Sequence, residues 1–209
     1  MDSFKKYVDK GKKGTLHVFD IDDTLFHTTA KIHVKNDKGE TVHKLSNAEF
    51  NDHHLPPGHH YDFNEFSSSE KFHDESKPIH GMLNKLKAIH NNITMKPHSN
   101  SKVIMNTARA DFDDKDKFLD TFRKHGVDID NIHVHRAGNI PGDELPAAKK
   151  VTIIKKYLDN HPLGSVHMYD DSHTNLKHFV NMKHDHPDVD FHAWHVKPDG
   201  SIKKFKAEK

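Results

Sequence analysis

The ten residues HVFDIDDTLF, positions 17–26, constrain this chain more than any other stretch. They continue an apolar run that begins after Gly14, GTLHVFDI, which reads as a short strand buried in a parallel sheet. Asp20 ends the strand, and Asp22 and Asp23 follow within three positions. A short turn brings the carboxyl groups of Asp20 and Asp22 to one cavity. Two carboxylates about 4 Å apart repel by about 4 kcal/mol at an effective dielectric of about 20, or about three pKa units. Adding Asp170 and Asp171, which end a later strand, makes such a site untenable without a cation.

The rest of the chain indicates what surrounds that turn. KIHVKNDKGETVHKL alternates apolar and polar residues around Asn36-Asp37-Lys38-Gly39 and predicts a hairpin. The following stretch, SNAEFNDHHLPPGHHYDFNEFSSSEKF, is rich in Pro, Gly, Ser, Asn and His and has no sustained period, so it reads as an irregular insertion. Ile79, Met82, Leu83, Leu86 and Ile89 share one helical face, with Pro78 near the helix start. Strands then alternate with helices: KVIMN, a helix over DDKDKFLDTFRKH ending at Gly126, IHVHR, a helix over AAKKVTIIKKYLDN, SVHMYDD, a helix over TNLKHFVNM, and VDFHAWHV before a lysine-rich tail.

That alternation predicts an α/β, Rossmann-like domain over residues 1–209. It should have a mainly parallel five-stranded sheet, helices on both faces, and a small cap-like insertion over residues 27–77. In such a sheet ligands bind beyond the carboxyl ends of the strands, where strand order reverses. Three strands end in chemistry-bearing residues: Asp20 on the first, Asn106 and Thr107 on the second, Asp170 and Asp171 on the fourth.

Composition narrows the function classes. Lys plus Arg number 32 and Asp plus Glu 31, so global charge supplies no pull toward nucleic acid or membrane. There is no cysteine, which excludes disulfides, a thiolate nucleophile and cysteine-held metals. Mean hydropathy is low, −0.89, yet apolar clusters recur regularly, which argues against disorder. No apolar run approaches about 18 residues, and the lysine-rich start MDSFKKYVDKGKKG lacks a signal-type segment. The expectation is a soluble, cytoplasmic protein with no membrane partner. Twenty-three histidines are scattered along the chain and read mainly as solvated surface groups. Mild acid would charge them heavily, and the dense stretch HHLPPGHH leaves a metal or substrate role open.

Clustered Asp20, Asp22, Asp170 and Asp171 fit Mg²⁺, a hard ion that prefers oxygen ligands. An ionised carboxylate beside that ion is a nucleophile for phosphorus, and a carboxyl turned away can act as general acid and then base. Phosphoryl transfer asks for such positioning and charge neutralisation.

VFDIDDTLF also resembles the first motif of the haloacid dehalogenase-like (HAD) phosphohydrolase superfamily, an apolar strand followed by Asp-x-Asp-x-Thr. VIMNTAR resembles the second motif, AAKKVTIIKKYL the third and VHMYDD the fourth, in the family's order. The resemblance implies a phosphomonoester hydrolase with an aspartyl-phosphate on Asp20. Asp22 would be its general acid/base, lending its backbone carbonyl to Mg²⁺. Thr107 would bond the phosphoryl, Lys150 would hold its charge, and Asp170 and Asp171 would complete the metal site. Thr24, Asn106 and Arg109 join the candidate site, with Thr24 bracing the loop. Lys149 is the alternative lysine, and Asn175 a weaker candidate. The arginine of TAR is similar to that of polynucleotide-end phosphatases in phage repair enzymes, which implies a phosphorylated small molecule or a nucleic-acid end as substrate.

Other readings stay open. The same site could serve a phosphotransferase or mutase. A receiver-like signalling domain also clusters Asp, Thr and Lys, but places its acidic pair first and its phosphorylated Asp later. A catalytically dead core acting as a histidine-rich metal- or nucleic-acid-binding protein is the remaining alternative. Asp23 reads as a solvated turn residue with no part in the chemistry.

Overall fold

The computed structural model describes residues 13–96 and 99–206. The lysine-rich start at residues 1–12 and the last three residues of the tail lie outside the described residues. The central sheet is built from β1 (Gly14–Phe19), β7 (Lys102–Thr107), β8 (His133–Arg136), β9 (Leu163–Asp170), β10 (Asp190–Val196) and β11 (Ile202–Lys204). Their order is β11-β10-β9-β1-β7-β8. All neighbours are parallel except β10 and β11.

β1 lies in the middle, and the chain runs outward from it in both directions, so strand order reverses there. Phe19 is level with Tyr169 on one side and with Met105 on the other. Asp20, Asp170 and Asn106, each one residue further on, therefore reach the same carboxyl edge. Alternation along β1 fills two cores. Leu16 and Val18 pack with Ile153 and Ile154 of α5 (Pro146–Asn160) and with Leu176 and Phe179 of α6 (His173–Asn181). Phe19 packs with Met82, Leu83 and Leu86 of α3 (His80–Thr94) and with Phe118 and Phe122 of α4 (Lys115–Arg123).

The structure departs from the sequence expectation in three places. A sixth strand, β11, pairs antiparallel with β10; its stretch IKK is too short and polar to read as a strand. Pro78 does not open α3: it sits in the two-residue β6 (Lys77–Pro78), paired with Phe26 of β2 (Phe26–His27), and the helix begins two residues later. The insertion is also more regular than its composition suggests. β3 (Ile32–Lys35) and β4 (Thr41–Leu45) form the expected hairpin, with Gly39 at φ 78° in its turn. β5 (His60–Asp62) adds to the other side of β3. Between them α1 (Asn47–Asp52) is started by a capping box of Ser46 and Glu49.

This cap has its own small core of Ala30, Ile32 and Phe66, with Leu45, Phe50 and Tyr61 against it. α2 (Ser69–Glu75) belongs elsewhere: its Phe72 stacks on Phe118 at 5.0 Å in the main core. No helix among the described residues is long and apolar enough to cross a membrane.

One row of side chains under α3 is unusual. His17, His167 and His192 are level across β1, β9 and β10, with ring centroids 5.0 and 4.5 Å apart. Trp194 Nε1 donates to His167 Nδ1 at 3.2 Å, while His17 Nδ1 is buried with no hydrogen-bond partner among the described residues. Burial, then the neighbouring His167, lowers His17 to a pKa of about 4; burial, then His192, does the same to His167. In the unfolded chain both take protons near pH 6.5. Their contribution is therefore intact above about pH 6.5 and is lost as pH falls toward about 4. Each such group adds a slope of up to about 1.4 kcal/mol per pH unit, less where water still reaches the ring. Urea unfolding between about pH 7 and 4.5 should show this loss. His17→Leu, which removes a ring with an unpartnered nitrogen, should flatten it; an unchanged acid limb would contradict this account.

Candidate active site at the carboxyl edge

Asp20 sits just past β1, its amide donating to Tyr169 O at 3.0 Å, which ties the turn to the neighbouring strand. α5 runs behind the strands and sends Lys150, 1% exposed, up between two acids. Lys150 Nζ donates to Asp20 Oδ1 at 2.7 Å and to Asp170 Oδ2 at 2.8 Å. Lys149, the alternative from the sequence, is half-buried on the same helix and makes neither contact. Asn106 steadies the arrangement: its Nδ2 donates to Lys150 O at 3.0 Å, joining β7 to the lysine's own turn of helix.

Asp170 is fully buried and held from several sides. Ser172 N donates to its Oδ1 at 2.9 Å, and Asn175 Nδ2 donates to both oxygens, at 2.9 and 3.1 Å. Asn175, a weak candidate from sequence, thus fixes the orientation of an acid in the cluster.

Asp20, Asp170 and Asp171 each offer an oxygen, all within 4.8 Å of one another. Among the described residues no other group of His, Asp or Glu gathers in this way, and the histidines of HHLPPGHH do not converge on a shared ion. Three carboxyl groups against one ammonium leave, when all are ionised, an excess charge equal and opposite to that of a divalent cation. The strain shows in the acids. Burial, with Asp170 and Asp22 adding to it, pushes Asp20 up to about 7 in spite of Lys150. Burial, then Asp170 and Asp20, pushes Asp171 well above the usual carboxylate range. Lys150 is held above its ordinary value because Asp170 and Asp20 outweigh the effect of its burial. Oxygen-only donors with uncompensated charge suit Mg²⁺.

Asp22 faces a different partner. Arg109 grips it with a two-pronged fork, Nε to Oδ2 at 2.9 Å and Nη2 to Oδ1 at 2.7 Å. The same guanidinium donates to Phe66 O at 2.6 Å and to Thr28 Oγ1 at 3.4 Å. It lies 4.5 Å from the Phe72 ring and 5.1 Å from that of Phe66. The sequence leaves Arg109 evenly between a substrate contact and a structural pair; in the structure its side-chain donors meet Asp22, Phe66 and Thr28. Nothing in the sequence signals this, because the partner is 87 residues away.

Thr107, fully buried at the end of β7, accepts from Arg109 N at 3.1 Å, which leaves its own hydroxyl proton to donate. Thr24 is buried within the loop, and its hydroxyl and Asn106 Oδ1 have no hydrogen-bond partner among the described residues.

No family model and no curated protein matches the sequence. Among solved structures, the chain is similar to the HAD domain of effector protein Lem4 from Legionella pneumophila. An inactive mutant of that domain gives 13% identity and a TM-score of 0.49, covering 90% of this chain and 87% of that one. A second structure of that domain gives 14% identity and a TM-score of 0.47, covering 90% of this chain and 88% of that one. The fold assignment above rests on the strand order and register of this chain itself.

If the acid cluster holds a divalent ion, Mg²⁺ at about 100 times its dissociation constant should stabilise the protein by about 2.7 kcal/mol. In a chain of this length that raises the melting temperature by roughly 5–10 °C. Asp170→Asn and Asp171→Asn should each remove most of the shift in a thermal melt. A shift that survives both substitutions would place the ion elsewhere.

Proposed function

We propose that the chain is a Mg²⁺-dependent phosphomonoester hydrolase in which Asp20 takes up the phosphoryl group. The observation that supports this most is the buried Lys150 ammonium bonded to both Asp20 and Asp170. It orients the nucleophile and leaves a positive charge where phosphoryl oxygens gather. Lys150 holds Asp20 Oδ1, so Oδ2 is the oxygen offered to phosphorus. The Oδ2–P bond forms as the bond from phosphorus to the leaving oxygen breaks, and that oxygen takes a proton from Asp22. Water then attacks phosphorus and gives its proton back to Asp22, and the Oδ2–P bond breaks to free phosphate and Asp20. The carboxylates of Asp20, Asp170 and Asp171 and the backbone carbonyl of Asp22 would hold Mg²⁺, which would neutralise phosphoryl charge when bound. Thr107 donates to a phosphoryl oxygen.

Arg109 gives Asp22 its place. With both oxygens in the fork, a proton on Asp22 weakens the arginine's bond to the oxygen that takes it. We take the substrate to be a phosphorylated small molecule or a nucleic-acid end. The cap, one small sheet and one short helix rather than a domain-sized lid, suits that range.

Turnover of a generic aryl phosphate should require Mg²⁺, and Asp20→Asn should reduce it to background. Full activity of Asp20→Asn, or an inactive wild type across divalent ions, would overturn the reading. A phosphate-release panel of nucleotides, sugar phosphates and 3′-phosphorylated oligonucleotides then assigns substrate. Arg109→Lys keeps the charge and loses the fork, so kcat should fall by about 10² while KM stays within about threefold. A loss carried by KM would put Arg109 on the substrate instead.

A further inference from the structure

Asp23 takes no part in the steps above, yet it is the non-glycine residue with a left-handed backbone among the described residues, at φ 55°. Asp tolerates that region better than most residues, and the surroundings must still hold it there. Its amide donates to Phe26 O at 2.7 Å, closing the turn that carries Asp22. Its carboxylate is outside the acid cluster. Oδ2 accepts from Asn47 Nδ2 at 2.8 Å, and Oδ1 faces His27 Nδ1 at 3.5 Å. Asn47 is the first residue of α1, whose direction is set by the Ser46 and Glu49 capping box. The cap is joined to the core near Thr28 and Phe66, where Arg109 also touches it. Asn47 touches the catalytic turn from a point 24 residues along the chain from Asp23, in the middle of the insertion.

We propose that the Asn47–Asp23 hydrogen bond is a latch that holds the cap against the catalytic turn, making Asn47 a positioning residue that limits how bulky a phosphomonoester the site admits. The proposal rests on the hydrolase reading given above. An amide donating to a carboxylate makes a stronger bond than a neutral pair, and it is directional. Breaking it frees α1 and removes a side-chain tether from the turn, whose backbone bonds remain.

Asn47→Asp sets two carboxylates against each other while leaving an acid at the start of α1, which the helix favours. Asp23→Asn keeps a residue suited to the left-handed turn. Combining them restores one donor and one acceptor with the polarity reversed. Two readouts apply: hydrogen exchange over residues 23–27 and 47–52, and the ratio of kcat/KM for a bulky over a small phosphate ester. Asn47→Asp should speed exchange in both segments and shift the ratio toward the bulky ester by about threefold to tenfold, the range expected for one hydrogen bond. The double variant should return both toward wild type, which a merely weakened fold would not do. Unchanged exchange and ratio in Asn47→Asp, or a double variant no better than it, would overturn the latch. If the wild type turns over neither ester, the hydrolase reading fails, and exchange alone decides whether the latch exists.

Discussion

One ammonium group holds the site together. Lys150 is buried between Asp20 and Asp170, and breaking a buried pair of this kind by removing one partner costs about 3–5 kcal/mol. The arrangement asks for β1 and β9 to be neighbours in register, so that Asp20 and Asp170 finish level. It asks for α5 to cross behind them with Lys150 turned inward, and for Asn106 on β7 to steady that turn of helix. The parallel sheet and its two cores serve this placement. Lys150 nevertheless leaves the acids under-compensated, a shortfall that a divalent ion would offset.

Beside that centre the loop from Asp20 to Phe26 has a different organisation, set by Arg109. Its guanidinium is sandwiched between Phe66 and Phe72 and bonded to Asp22, Phe66 and Thr28, so it joins the acid to the two roots of the cap and to the main core. Asp20 and Asp22, two residues apart, are held by separate cations from separate elements. Lys150 comes from the helix beneath the sheet, and Arg109 from the end of the adjacent strand. In the proposed reaction, this separation lets one carboxyl bond phosphorus while the other exchanges a proton.

Much of this was legible in the chain. Strand–helix alternation gave the parallel sheet, and the strand ends at Asp20, Thr107 and Asp170 gave its working edge. These features depend on local pattern, and the carboxyl-edge rule converts them into a place. What stayed hidden depends on contacts distant in sequence. Arg109 reads equally well as a substrate contact or a structural one until its partner is seen. Asp23 looks like an ordinary turn residue because neither its backbone angle nor its bond to Asn47 leaves a trace in spacing. α2 escaped notice because SEKFHDE offers one large apolar residue, Phe72, too little for a helical period. β5 hides in a stretch whose Pro, Gly and His content reads as loop, since the small core beneath it is shared among residues far apart.

The proposed reaction bonds phosphorus to Asp20. Borohydride added during turnover of a phosphate ester reduces an aspartyl-phosphate to homoserine, which peptide mass analysis places by position. The account predicts that conversion at position 20, dependent on substrate. Steady turnover with position 20 unmodified, or the modification at another acid, would contradict it.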